Sequence, residues 1–115
     1  MTSAPLKLDF APGAKQGQMV LRLQGPLTLN NVFAFQDRVR SDQSAILLVE
    51  MSEVPYIDSA GIGSLVGAHV SREKEGRKLA LVGATDRVTT ALHVTQVGHL
   101  FTVFSTLSDA ERSFT

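Results

Sequence analysis

The sequence predicts a single α/β domain over residues 1–115, built on a mixed sheet of four or five strands with about four helices. Extended apolar segments alternate with helical patterns after an initial hairpin, in the order β-β-α-β-α-β-α-β-α. Ala45–Val49 and Leu79–Val82 are uninterrupted apolar runs, which are typical of parallel strands covered on both faces. The chain has 115 residues, of which 43% are hydrophobic, and this is enough to fill one core.

The first two strands are predicted to pair as an antiparallel hairpin. Leu6, Leu8 and Phe10 alternate with polar residues, which is the pattern of a half-buried strand. The turn-forming composition of Ala11–Gly17 separates this strand from a second one at Met19–Leu23.

The central part of the chain predicts two helices, one before and one after a buried strand in the sequence. Asn30 and Asn31 supply capping side chains for a helix that runs through Arg40. The first apolar run follows as the third strand. A second helix begins after Asp58 and extends to about Glu75, where a glycine ends it.

The last third of the chain predicts two further helices and a strand. Thr85 or Asp86 is expected to cap a third helix, which ends at His93 or the residue after it. Leu100–Phe104 reads as the last strand, and Ser108–Phe114 forms a short closing helix.

The composition excludes several classes of function. Lys+Arg and Asp+Glu both number 11, so the chain lacks the basic excess of proteins that coat a nucleic-acid duplex. The absence of cysteine excludes disulfides, iron–sulfur clusters, thiolate zinc sites and a thiol nucleophile. No apolar run could span a bilayer, and no signal peptide is evident. We therefore expect a cytoplasmic protein with no direct nucleic-acid contact, no membrane insertion and no cofactor.

The helix after Asp58 has an unusual distribution of small residues. Its larger side chains cluster on one side of a helical wheel and predict the core face. They are Ile62, Leu65, Val66, His69 and Val70. The opposite side carries only small residues, namely Ala60, Ser64, Gly67, Ala68 and Ser71. Because the outer face of a helix is usually rich in Lys and Glu, we expect a partner backbone or another helix of the same domain to cover this side.

Ser59 allows three interpretations. It can cap the helix, as Ser often does. It can be a nucleophile, but a nucleophile elbow needs glycine two residues before the serine, where this chain has Ile57, and no histidine is clearly placed as the base. It can accept a phosphate, which the free N–H groups and the dipole of a helix N-terminus would stabilise.

Other residues carry weaker signals. Gly61 and Gly63 match a dinucleotide-binding fingerprint only in part. His69 falls on the predicted core face and is interpreted as a core residue whose polar atoms are satisfied, not as a metal ligand. Phe33 lies off the inward-facing side of the first helix, and together with Leu29 it predicts a small apolar patch that a partner could contact.

The segment Tyr56–Leu65 resembles the phosphorylation loop and following helix of STAS domains, the fold of sulphate transporters and anti-sigma factor antagonists. Leu23–Thr28, Ala45–Met51, Val88–Leu92 and His99–Phe104 are similar to the flanking parts of that fold. The resemblance implies a bacterial anti-sigma factor antagonist, which binds a partner protein and is not an enzyme.

Antagonists of this kind bind an anti-sigma factor that is also a serine protein kinase, and so release a sigma factor. The kinase ends the interaction by phosphorylating a loop serine, and a serine phosphatase reverses the modification. The resemblance places that serine at Ser59. Thr28 stands where the family often has an Asp that contacts the kinase, and Ala60 stands where it often has Ser or Thr.

We therefore predict a partner-binding surface around the phosphorylation site Ser59, with no catalytic or metal-binding residue. The predicted contact residues are Thr28, Leu29, Phe33, Asp58, Ser59, Ala60, Gly61, Gly63, Ser64, Gly67 and Ala68. Two alternatives stay open. One is a STAS subunit or scaffold of a membrane transport or signalling complex that is never phosphorylated. The other is a small nucleotide-binding protein that uses the Asp58–Gly63 loop.

Overall fold

Five strands form one sheet, and four helices cover its two faces in the predicted order. The computed structural model describes residues 5–114, so the two ends of the predicted domain, residues 1–4 and 115, lie outside it. The longest helix in this range has 16 residues, and no helix within it is both long and apolar enough to cross a membrane. The strands are β1 (Lys7–Pro12), β2 (Gln18–Gln24), β3 (Ile46–Glu53), β4 (Lys78–Val82) and β5 (Thr102–Phe104). The helices are α1 (Val32–Ser41), α2 (Ser59–Lys74), α3 (Asp86–Val94) and α4 (Leu107–Ser113), with one 3₁₀ turn at Gly98–Leu100.

The sheet is mixed, and its strands lie in sequence order from β1 to β5. β1 pairs antiparallel with β2, and the other neighbouring strands pair in parallel. The register places Val49 of β3 between Leu21 of β2 and Leu81 of β4. Because adjacent parallel strands end at the same edge of a sheet, the loops that follow β2, β3 and β4 lie side by side.

Successive residues of the central strands point to opposite faces, which accounts for the uninterrupted apolar run in β3. Leu47 and Val49 belong to the main core, to which α1, α2 and α3 contribute buried side chains. Leu48 belongs to a smaller core on the other face, where α4 contributes Ala110.

Two predicted details differ in the structure. Asn31 occupies the N-cap position of α1, but its Oδ1 accepts a hydrogen bond from the N–H of Thr28 at 2.9 Å and none from the helix. The prediction that it caps α1 is wrong because the side chain bonds the preceding turn instead. The last strand begins at Thr102, since Leu100 turns away in the 3₁₀ segment and donates its N–H to the carbonyl of Val97 at 3.0 Å.

The C-terminal end of α2 is anchored by a buried arginine that sequence reasoning did not single out. Arg72 is 2% exposed, and its guanidinium lies 3.1 Å from the Asp42 Oδ2. It also donates to the carbonyls of Ser44 at 2.7 Å and Lys78 at 3.1 Å. Burial lowers the pKa of Arg72, and the Asp42 carboxylate opposes that effect. These bonds fix the end of α2 against the chain entering β3 and β4.

Candidate functional site

The candidate site is built where the loops after β2 and β3 bond to each other. The N–H of Leu27 donates to the carbonyl of Tyr56, and the N–H of Asp58 donates to the carbonyl of Leu27, both at 3.3 Å. Leu27 and Ile57 also form an isolated parallel bridge. These contacts continue the β2–β3 pairing beyond the strand ends, so the segment that leads into α2 is held in place.

Asp58 connects the start of α2 to the loop after β2. Its Oδ1 accepts a hydrogen bond from the N–H of Gly61 at 2.9 Å, which makes Asp58 the N-cap of α2. Its Oδ2 accepts from the N–H of Leu29 at 3.0 Å. Ser59 is therefore the first residue of the helix and not its cap.

The Ser59 side chain is exposed at the start of α2. Within residues 5–114 its hydroxyl makes no hydrogen bond, and the N–H groups of Ser59 and Ala60 have no acceptor. Among the same residues, Asp58 forms no ion pair with Lys or Arg. An anion on the Ser59 oxygen would meet free amide groups and the positive end of the helix dipole, with the Asp58 carboxylate as the nearby opposing charge.

The glycines of α2 have different structural roles. A Cβ built on Gly61 would lie 2.2 Å from the carbonyl oxygen of Leu27, so the close approach of α2 to this loop requires glycine. Gly63 and Gly67 are exposed, and a Cβ at either position would meet no atom within 4 Å beyond the adjacent residues and backbone of α2 itself. Packing within the domain therefore explains the glycine at position 61, and no bound nucleotide is needed to account for it.

The predicted outer face of α2 is wrong at two of its residues. Ser64 is 2% exposed and Ala68 is 8% exposed, so neither is available to a partner. The Ser64 hydroxyl donates to the carbonyl of Gly61 at 2.8 Å. Helix α1 packs against α2, and Ser64 and Ala68 line a hollow of about 210 Å³ together with Val39 of α1. The alternative that another helix of the same domain covers this side is confirmed for these two residues.

The predicted core face of α2 is correspondingly wrong in part. Leu65 is fully buried, but Ile62, Val66 and His69 are only half-buried, and Val70 is 41% exposed. The helical wheel assigned the core face from the large apolar side chains. In the structure, the side with small residues packs toward α1, because small residues allow the two helices to lie close together. The Nε2 of His69 lies 3.0 Å from a Glu73 carboxylate oxygen, so this nitrogen is partnered, although the residue is not part of the buried core.

Two apolar side chains, one in the loop before α1 and one in the first turn of that helix, are exposed. Leu29 is 65% exposed and Phe33 is 68% exposed, so both side chains of the predicted apolar patch are at the surface. The N–H of Leu29 is bonded to Asp58, which brings Leu29 next to Ser59. We call Leu29, Phe33, Asp58, Ser59, Ala60, Gly63 and Gly67 the Ser59 surface. Thr28 is half-buried at its margin, and Gly61, Ser64 and Ala68 lie beneath it.

A neighbouring feature was not predicted from the sequence. The guanidinium of Arg87 in α3 lies 5.4 Å from the ring centroid of Tyr56. Both residues line a hollow of about 470 Å³ that reaches Val94. Tyr56 stands out in the sequence as an aromatic residue just before the Asp58–Gly63 loop. Its partner, Arg87, is 31 residues away, and no local sequence pattern links the two.

Comparisons with known proteins agree with the fold. The anti-sigma-B factor antagonist of Listeria monocytogenes is 30% identical over 61 residues, which cover 53% of this chain and 54% of that protein. The chain therefore matches about half the length of the curated relatives. A Thermotoga maritima protein described as a candidate anti-sigma factor antagonist superposes with a TM-score of 0.84 at 21% identity, over 92% of each chain. The unphosphorylated form of the anti-sigma factor antagonist SpoIIAA superposes with a TM-score of 0.72 at 15% identity, over 95% of this chain and 96% of that one.

The family match covers most of the chain. The sequence profile of the STAS domain aligns with residues 9–110, which run from β1 into α4. This range includes both loops that build the Ser59 surface. The chain belongs to the STAS domain family.

Proposed function

We propose that this chain is an anti-sigma factor antagonist whose binding to its partner is switched by phosphorylation of Ser59. The observation that carries the proposal is the exposed, unbonded Ser59 hydroxyl at the first residue of α2. The relatives named as anti-sigma factor antagonists support the same class of function.

In the unmodified state, the Ser59 surface binds an anti-sigma factor that is also a serine kinase. Leu29 and Phe33 supply apolar area that the partner buries. Gly63 and Gly67 have no side chain, so the partner's backbone can come close to α2. Binding occupies the anti-sigma factor and releases the sigma factor. The chain supplies a docking surface and a phosphate acceptor, and performs no catalysis.

Phosphorylation ends this interaction through charge. The Ser59 oxygen attacks the γ-phosphorus of ATP held by the kinase, the bond from that phosphorus to the leaving oxygen of ADP breaks, and the hydroxyl proton passes to a base of the kinase. The phosphate adds about 1.5 to 2 negative charges beside Asp58. A partner surface that fits a neutral hydroxyl then faces repulsion and the cost of desolvating a charged group. A serine phosphatase restores the hydroxyl by hydrolysis.

The first test is mass spectrometry of the intact chain purified from its own cells. We expect a fraction that carries one phosphate, mapped to Ser59 by peptide sequencing. Ser59→Ala should remove this fraction, whereas Ser71→Ala should keep it, because Ser71 is an exposed hydroxyl on the same helix. A phosphate that persists in Ser59→Ala would contradict the assignment.

The second test measures the affinity of the unmodified and phosphorylated chain for each kinase-type anti-sigma factor of the source organism. Isothermal titration should show binding to the unmodified chain and at least tenfold weaker binding to the phosphorylated one. Equal affinities of one such partner for both forms would contradict the switch.

A further inference from the structure

Another hollow lies on the other flank of α3 from the one beside Tyr56 and Arg87, and Ser59 does not line it. It has a volume of about 580 Å³ and lies between α3, the 3₁₀ turn and β5. It shares no lining residue with the hollow beside Tyr56 and Arg87. The hollow is therefore separate from the Ser59 surface, whose residues do not line it.

The floor of the hollow is apolar and open. Val103 of β5 pairs in register with Leu81 of β4, yet Leu81 is fully buried and Val103 is 49% exposed. Helix α3 leaves this part of the sheet uncovered. Its buried residue Leu92 also lines the hollow. An apolar ligand of modest size would bury Val103 without displacing protein atoms.

One rim residue is held in a backbone conformation that favours glycine. Gln96 has a φ of 62°, the only positive value of a non-glycine residue within residues 5–114. Its N–H donates to the carbonyl of His93, and the N–H of Val97 donates to that of Leu92, both at 3.0 Å. These two bonds form a Schellman ending of α3, where glycine is the usual residue. A glutamine in that place keeps an amide at the rim of the hollow, and strained positions of this kind tend to mark ligand sites.

The polar groups of the rim favour an anion. Besides the Gln96 amide, the hollow is lined by the imidazoles of His93 and His99, which offer N–H donors. Its lining includes no Asp or Glu, so a carboxylate or sulfonate would meet no like charge. The lining also offers no carboxylate to pair with a cationic ligand.

We propose that this hollow binds a small organic anion, with its apolar body against Leu92 and Val103 and its acidic group at His93, Gln96 and His99. The probe for the test is 8-anilinonaphthalene-1-sulfonate, followed by its fluorescence. The matched control is N-phenyl-1-naphthylamine, which has the same aromatic body without the sulfonate. We expect saturable binding of one sulfonate probe per chain and at least fivefold weaker binding of the neutral compound.

Variants separate ligand binding from a purely structural role. Gln96→Gly should raise the unfolding midpoint because glycine adopts positive φ readily, and should weaken binding of the sulfonate at least fivefold. His99→Ala, which removes an N–H donor, should weaken binding, whereas His69→Ala, outside this hollow, should not. Val103→Asp should abolish binding while circular dichroism shows the fold retained.

Three results would overturn the proposal. They are the absence of saturable sulfonate binding, equal affinity for the neutral compound, and wild-type sulfonate affinity in both Gln96→Gly and Val103→Asp.

Discussion

The Asp58 carboxylate accepts a hydrogen bond from the backbone N–H of Leu29 at 3.0 Å, and thereby bonds the cap of α2 to the loop before α1. The same carboxylate holds the first turn of α2 through Gly61. The proposed phosphate acceptor, Ser59, and the exposed Leu29 are therefore parts of one connected unit. A partner that binds both meets surfaces whose relative positions are set before it arrives, which lowers the entropy cost of binding.

Asp58→Asn tests the bond between the loops separately from the cap. Asn keeps one oxygen for Gly61 but replaces the other with an amide that cannot accept from Leu29. We expect a loss of less than about 1 kcal/mol in the free energy of unfolding, since Asn is also a good cap. Asp58→Ala removes both bonds and should cost about 1 kcal/mol more. Urea denaturation measures the difference, and equal losses in the two variants would contradict the separate roles.

Gly61→Ala and Gly63→Ala should have opposite effects on stability. A methyl group at Gly61 would lie 2.2 Å from the Leu27 carbonyl oxygen, and we expect this overlap to cost about 1–3 kcal/mol. Gly63 is exposed with open space around it, so alanine there should stabilise the helix by about 1 kcal/mol. Thermal and urea unfolding check both values. Destabilisation by Gly63→Ala would show that this position has a packing role absent from the structure.

Phe33→Ala should weaken partner binding without affecting the fold. The ring is 68% exposed, so its loss should change the free energy of unfolding by less than about 0.5 kcal/mol. If the partner buries it as an anchor, affinity should fall at least about tenfold. The matched control is Val70→Ala, an exposed apolar residue on α2 outside the Ser59 surface, which should keep wild-type affinity. Equal partner affinity of the wild type and Phe33→Ala would show that the Phe33 side chain is not part of the interface.

Asp42→Ala should be among the most destabilising single changes outside the hydrophobic core. It leaves the Arg72 guanidinium, which is 2% exposed, without its carboxylate partner, and breaking a buried ion pair in this way costs about 3–5 kcal/mol. Asp37→Ala is the control, because its ion pair with Arg40 is exposed and should contribute less than about 1 kcal/mol. Similar losses in the two variants would mean that Asp42 contributes little to the anchoring of α2.

Much of the fold could be predicted because its signals are local. The uninterrupted apolar run of β3 reflects a strand buried on both faces, and Asp58 and Gly76 mark the two ends of α2 within a residue or two. The position of Ser59 at the start of that helix follows from the same signals. These features depend on backbone preferences and periodicity, which a short stretch of sequence expresses by itself.

The contacts that complete the site could not be predicted, because they join distant parts of the chain. Leu29 and Asp58 are 29 residues apart, and Asp42 and Arg72 are 30 residues apart. The burial of Ser64 depends on where α1 packs, which the periodicity of α2 does not encode. An arginine in the last turn of a helix is ordinarily solvated, so only the tertiary structure shows that this one is buried.

Phosphorylation of Ser59 could release a partner in two ways, through its surface charge or by unfolding the start of α2. The variant Ser59→Asp separates them. Ser59→Asp places a negative charge at the first residue of the helix, where the dipole favours it by about 0.3–1 kcal/mol and the Asp58 carboxylate opposes it. We therefore expect no loss of stability in low salt, together with weaker partner binding. Ser71→Asp is the control, because a negative charge near the C-terminal end of the same helix is unfavourable and should lower stability slightly. High salt should narrow the difference between the two variants, since exposed charges are screened. Urea denaturation at low and high salt measures these effects. A loss above about 1 kcal/mol in the free energy of unfolding of Ser59→Asp at low salt would indicate that the start of the helix unfolds. Release would then not proceed through the surface charge alone.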